Sequence, residues 1–280
     1  MQYLNDELVE VDTSKNSNFT SIEYKGSNLL FKRESNETLG LIRVLKTTSA
    51  ITEIEIPLTI KDESNFKTIK YIRGWALQAR NVSKVKINAK SIDGTAMGFN
   101  NKTKLIEIGE SVEFISPNFN PYSSGYTIKI NKNNTKYYCD DNSEILYENN
   151  GQTYKIILAI KKPPESNNAT IVIPSNINGK NINEIAGYAF SEQNTIRTIS
   201  IPDTITSIQS NAFSNCTNLI TINIPSSVSK IGENAFDGCL SLEASANNGQ
   251  GGIRIDNQSG SISGAPWGAT KGDRAIKWLR

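Results

Sequence analysis

No histidine occurs anywhere in the 280 residues. That removes the commonest general base, the usual partner of a serine nucleophile and the commonest metal ligand. Three cysteines are too few to build a zinc site of their own. Neither a Gly-x-Gly-x-x-Gly run nor a phosphate-loop signature is present. A net charge of +2 gives no electrostatic case for nucleic acid. No stretch approaches the roughly 18 apolar residues of a membrane-spanning helix. The start, MQYLNDELVEV, has no basic opening and no apolar run, so no signal peptide is visible there. Leu and Ala are sparse, whereas Asn is abundant, as expected of an AT-rich genome. Asn-x-Ser/Thr triplets then arise by chance and are not read as glycosylation sites. The carboxylate pairs Asp62-Glu63 and Asp140-Asp141 lie in polar segments and read as solvated turns. These absences favour a non-enzymatic chain with no cofactor and no metal.

What is present is a repeat. Ile201-Pro202 recurs as Ile224-Pro225, Ile208 as Ile231, Ala212-Phe213 as Ala235-Phe236, and Cys216 as Cys239, each 23 residues apart. A period in the twenties with L-x-x-I-x-I spacing signals a leucine-rich-repeat solenoid, whose units bury their apolar faces only by stacking. Within one unit Leu219, Ile222 and Ile224 face inward while Thr221 and Asn223 alternate outward, which is strand periodicity. Pro225 ends the strand because it has no N–H for the ladder. Val228 and Ile231 return inward, and Ala235 and Phe236 fill the outer side from a short helical or 3₁₀ turn. Cys216 and Cys239 hold equivalent positions and are expected as buried thiols on neighbouring rungs, in a place for a small apolar residue.

The run IPSSVSKIGENAFDGCLSL resembles the BspA-type leucine-rich repeat of bacterial and some protist surface proteins. The resemblance covers roughly residues 50–245. It implies a parallel β-sheet on a concave face, short turns on the convex face, and a role in adhesion or partner binding. The hairpin pattern over residues 131–162 is similar to an insert common between such repeats. The end, GAPWGATKGDRAIKWLR, has a shorter resemblance to tails of surface and phage-tail-like proteins of low-GC Gram-positive bacteria.

The resulting organisation has five parts. Residues 1–48 form an N-terminal cap or attachment segment, with a hairpin around Lys25-Gly26-Ser27-Asn28 and a strand near Leu39–Leu45. Residues 49–130 carry a first block of repeats with Trp75-Ala76-Leu77 and Ala96-Met97 in the Ala-Phe place. Residues 131–162 hold the β-hairpin insert, and residues 163–243 a second block. Residues 244–280 hold a flexible linker, a last hairpin built from Ile253–Ile255 and Ser261–Ser263, and the tail. In the tail Trp267, Arg274 and Trp278 either cover the last rung or dock to another protein.

Placing the strands in parallel register predicts two outward rows. One runs Glu53, Lys84, Leu105, Thr127, Thr170, Thr198, Thr221; the other Glu55, Lys86, Glu107, Lys129, Val172, Ser200, Asn223. Strands about 4.8 Å apart set opposite charges side by side in the first half and hydroxyls in the second. The rows either zip the sheet together or form the partner-binding face. On the second reading Glu55, Lys86, Glu107, Lys129, Thr198, Ser200, Thr221 and Asn223 contact a protein or surface glycan. The expected place of action is extracellular or at the cell surface. The alternative is a structural or receptor-recognition subunit of a phage tail, baseplate or tail-like particle, whose partners are other subunits.

Overall fold

The computed structural model describes residues 18–47, 52–77, 82–97, 103–117, 119, 126–139, 145–159, 169–242 and 252–255. The chain divides into two compact units, Met1–Ser123 and Ser124–Arg280.

The first unit opens with an antiparallel meander, β1 (Phe19–Tyr24), β2 (Ser27–Arg33) and β3 (Thr38–Thr47). Lys25 and Gly26 make the tight turn between β1 and β2 at φ 47° and 76°, the left-handed pair that twists with the strands. β4 (Glu53–Ile56) follows, then a hairpin of β5 (Thr59–Asp62) and β6 (Asn65–Ile72). β7 (Lys84–Ile87), β8 (Ser91–Ile92), β9 (Leu105–Ile108) and β10 (Phe114–Ile115) complete the unit. β4, β7 and β9 pair in parallel as a front sheet. β3, β6, β8 and β10 pair in parallel as a second, return sheet.

The second unit contains β11 (Thr127–Ile130), then a meander of β12 (Tyr137–Cys139), β13 (Ile145–Asn149) and β14 (Tyr154–Ala159). β15 (Ala169–Val172) precedes a hairpin of β16 (Asn176–Ile177) and β17 (Lys180–Ile185). β18 (Ile196–Ser200), β19 (Ser207–Ile208), β20 (Thr221–Ile224), β21 (Lys230–Ile231) and β22 (Gly252–Ile255) follow. The front sheet is β15-β18-β20-β22, and the return sheet runs β14-β17-β19-β21, all parallel. Ile253–Ile255 thus adds as a further parallel rung, and the expected hairpin partner 261–263 lies outside the described residues. Of the expected linker, 245–252, all but Gly252 lies outside the described residues, and Gly252 opens β22.

The two units share one topology. Each has a meander, a front strand, a hairpin leading into the return sheet, and then alternating front and return strands. The correspondence reaches single residues. The β3–β6 register shifts between Leu39 and Gly40, and the β14–β17 register shifts at the equivalent step between Tyr154 and Lys155. Arg73 N donates to Leu41 O as Ala186 N donates to Ile156 O. Residues 19–47 of the segment expected as a terminal cap and residues 137–159 of the segment expected as an insert are therefore equivalent meanders, the second preceded by β11.

Apolar alternation builds the core. Ile54, Ile56, Val85, Ile87, Ile106 and Ile108 from the front strands are buried, as are Ile69, Ile72, Ile92 and Ile115 from the return side. In the second unit Ile199, Ile222, Ile185, Ile208 and Ile231 belong to one cluster with Phe190, Phe213 and Phe236. Those three rings stack rung on rung, with centroids 5.1 and 5.3 Å apart. The outer connections in the second unit are hydrogen-bonded turns with residues at positive φ. Tyr188, Asn211 and Asn234 recur at φ 62°, 60° and 55°, and Glu192, Asn215 and Gly238 at 60°, 58° and 74°. Asn tolerates the left-handed region better than most residues, so part of its abundance has a structural use.

Candidate binding face

Alternation turns Glu53, Glu55, Lys84, Lys86, Leu105 and Glu107 outward on the front sheet of the first unit. The pairing is Glu53↔Lys84↔Leu105 and Glu55↔Lys86↔Glu107, the expected register. One ion pair follows that register, Lys84 Nζ to Glu53 Oε2 at 3.6 Å, and two shorter ones run diagonally. Lys86 Nζ lies 2.8 Å from Glu53 Oε1, and Lys84 Nζ lies 3.2 Å from Glu107 Oε1. Glu55 is taken by Lys25 from the β1–β2 turn at 2.6 Å, a partner 30 residues away that the rung pattern does not reveal. The hydrogen bond from Lys86 holds the Glu53 carboxyl below its usual range, and the bond to Glu53 holds Lys86 above its own. Lys129 is exposed on β11 in the second unit.

The front sheet of the second unit is different. Thr170, Thr198 and Thr221 align across β15, β18 and β20, and Val172, Ser200 and Asn223 form the neighbouring row. β22 extends it by placing Arg254 beside Asn223. Val172 is 68% exposed. Ser200, Asn223 and Arg254 are exposed, and their side chains hold no ion pair or hydrogen bond among the described residues. Thr221 Oγ1 donates to Gly252 O at 3.2 Å. Arg254 was outside the expected face; the Ile253-x-Ile255 alternation that turns it outward was the available signal. The tail residues Trp267, Arg274 and Trp278 lie outside the described residues.

Two expectations need correction. Asp62 is not a solvated turn residue. It is 2% exposed and accepts from Arg33 Nε at 3.0 Å, Lys67 Nζ at 2.6 Å and Thr20 Oγ1 at 3.1 Å. Burial pushes its carboxyl up, but the bonds from Arg33, Lys67 and Thr20 outweigh it and bring the carboxyl down to about 2. Asp140-Asp141 lies outside the described residues. Second, Cys216 and Cys239 are buried in the core as expected, but their column also serves as a donor column. Cys216 Sγ donates to Phe190 O at 3.0 Å, and Cys239 Sγ to Phe213 O at 3.1 Å. One rung earlier the place is held by Gln193, buried, whose Nε2 donates to Ala159 O at 2.6 Å. All three cysteines are free thiols, and Cys139 sits half-buried on β12. Sequence position alone could not tell an apolar slot from a carbonyl that needs a donor.

Among the described residues no group of three His, Cys, Asp or Glu side chains is arranged to hold a metal ion. No described helix is long and apolar enough to cross a membrane.

Parallel front strands, inward Ile rows and outer turns recurring at 23 residues define a leucine-rich-repeat solenoid. Residues 166–250 match the family model for the BspA type leucine rich repeat region, in six copies. No curated protein matches the chain. Similar solved structures include a leucine-rich repeat protein from Eubacterium ventriosum at 18% identity and TM-score 0.42, covering 80% of this chain and 71% of that one. The pneumococcal vaccine antigen PcpA aligns at 12% identity and TM-score 0.38, over 84% of this chain and 81% of that one. A leucine rich cell surface protein from Faecalibacterium prausnitzii aligns at 16% identity and TM-score 0.28, over 87% and 96%.

Proposed function

We propose that the chain is a non-catalytic recognition protein at a bacterial surface, and that the front sheet of its second unit takes a polar protein partner. The observation that carries this reading is the row Ser200–Asn223–Arg254. It offers a hydroxyl, an amide and a guanidinium, all exposed, on strands about 4.8 Å apart. Rigid strands hold the backbone of such groups in place, so binding orders only their side chains, and side chains unpaired in the free protein lose no internal bond on binding. The front row of the first unit supports the same division of labour, because its lysines already neutralise its glutamates. That row is assigned to zipping its own sheet. The family match supports the surface location, since BspA-type proteins are typically found there.

Fractionation of producing cells tests this. The chain is expected with washed envelopes of uninduced cells, and the double variant Ser200→Glu, Asn223→Glu is expected to release it without loss of fold. Recovery only in sedimentable particles after induced lysis would overturn the surface reading in favour of a tail component. Recovery only in soluble cytosol would overturn both.

A further inference from the structure

The shared topology permits an internal control. On the outward side of the first unit's return sheet, Tyr71, Ser91 and Phe114 lie side by side on β6, β8 and β10. Two positions further along the same strands come Arg73, Asp93 and Ser116. Together they line a groove of about 330 Å³, within the ~300–1,000 Å³ of small-molecule sites. In the second unit the equivalent residues are Glu184, Ser207 and Lys230, followed by Ala186, Gln209 and Gly232. The fold therefore does not require aromatic rings here. Both units have a serine in the middle, but the second has Glu184 and Lys230 where the first has the two rings.

The rings stand apart for identifiable reasons. Gly40 is paired with Tyr71, and a Cβ there would fall 2.2 Å from the Tyr71 ring, so the ring leans over the glycine and away from Ser91. Its hydroxyl donates to Glu34 Oε1 at 2.6 Å, which fixes it. The second unit replaces this pair by Lys155 and Glu184. On the far side Phe114 is 52% exposed, a large ring left in water without any structural need. Ser91, half-buried, floors the gap, and its hydroxyl is turned to Lys70 O.

The end of the groove is polar and incompletely satisfied. Thr95 N and Oγ1 both donate to Asp93 Oδ1 at 2.9 Å, which orients the carboxylate and leaves Oδ2 open among the described residues. Arg73, its neighbour in the register, is exposed and has no ion pair among the described residues. A cation and an anion side by side that do not neutralise one another present donors and an acceptor together.

From this arrangement we infer that the first unit carries a sugar-binding slot, with a neutral hexopyranose held between Tyr71 and Phe114 over Ser91. The electron-rich ring faces meet the C–H faces of the pyranose, and Arg73 and Asp93 bond adjacent hydroxyls as donor and acceptor. Charge favours a neutral sugar. Asp93 opposes a carboxylate at the same end, and Lys32 on the rim is already paired with Glu34 at 3.1 Å. The slot lies on a different sheet and in a different unit from the face assigned to a protein partner.

Saturation-transfer NMR of the full chain with methyl α- and β-glucopyranoside, galactopyranoside and mannopyranoside tests it. Transfer to the C–H protons of at least one glycoside is expected. Phe114→Ala, which removes a wall, and Ser91→Phe, which fills the gap, are expected to reduce it at least fivefold. Phe114→Tyr keeps the ring and retains it, and Lys230→Ala in the second unit leaves it unchanged. The thermal transition serves as the fold control, and the exposed Phe114 position keeps at least one variant folded. No transfer to any of the six glycosides, or transfer that Phe114→Ala leaves intact, overturns the slot. Envelope recovery of the chain is read separately, so failure here and failure of the partner face are distinguishable.

Discussion

The two units are one topology written in two chemistries. The first is fastened by charge. Its front sheet carries Glu53, Glu55, Lys84, Lys86 and Glu107, and its β5–β6 turn buries Asp62 among Arg33, Lys67 and Thr20. The second has charge pairing in its meander, where Lys136 and Lys155 hold Glu148 at 3.0 and 2.6 Å, but its repeat rungs are fastened by rings and neutral donors. At the turn position of Asp62 it has Ile177, 9% exposed. Its outer column holds Phe190, Phe213 and Phe236, where the first unit holds Leu77 and Met97. The difference teaches that rung geometry is set by the inward Ile rows and the outer turns. Everything else on the rung is open to choice, and function can occupy that freedom.

The largest expected effect lies in the ring column. Phe213 is fully buried between Phe190 and Phe236, with the Phe236 ring at 2° to its own. Phe213→Ala removes both stacks and leaves a cavity that flanking rungs cannot close, costing about 4 kcal/mol. Two compact units make a single two-state transition a poor measure, so hydrogen exchange of individual strands is the readout. Protection is expected to fall across β18 to β21 and to stay intact on β4 and β7. Equal loss in the first unit would show the units to be one cooperative block and would break the comparison.

Asp62 comes next. Asp62→Asn removes the charge that compensates Arg33 and Lys67, at a cost of about 3 kcal/mol confined to the first unit. Acid gives the same test without mutation. The folded carboxyl sits at about 2, below the ordinary value of about 3.9. Its stabilisation is therefore complete above pH ~4 and lost as pH falls through 2, about 2 kcal/mol in all. Exchange of β2, β5 and β6 is expected to accelerate between pH 4 and 2 more than that of β17 and β19, and to lose that acid sensitivity in Asp62→Asn.

Much of this contrast was legible in the residues, and the illegible part has physical causes. Front strands are four or five residues long, so two inward Ile residues bracket an outward one and fix both face and register. The return strands β8, β10, β19 and β21 have two residues each, with a single inward Ile, and no periodicity can show in two residues. The second parallel sheet was therefore missed, although Ile208 and Ile231 were correctly turned inward. Asp62 was misread because Arg33 comes from a meander strand 29 residues earlier. Likewise Lys25 reaches Glu55 from a turn, and that contact sends Lys86 diagonally to Glu53 instead. Within each sheet the outward rows match the expected register, but Thr127 and Lys129 on β11 lie in a different sheet from Thr170 and Val172 on β15, and the ion pairing depended on side chains from outside the repeat.

The smallest expected effect concerns strain that the repeat itself exposes. Glu192 sits at φ 60°, where the next two rungs have Asn215 and Gly238. A left-handed backbone costs Glu more than Asn, because Asn's short polar side chain can bond locally. The position cannot relax, since Glu192 N donates to Ser214 O at 2.8 Å as Asn215 N donates to Asp237 O at 2.6 Å. Glu192 is exposed, and Glu192→Asn keeps the backbone rung bond and relieves the strain. A gain of about 0.5 kcal/mol is expected, read as slower exchange at Glu192 and Phe190 amides in the second unit alone. The reverse change, Asn215→Glu, is expected to cost a similar amount. If both changes are neutral, the left-handed positions do not select their residues, and the Asn there reflects composition rather than the solenoid.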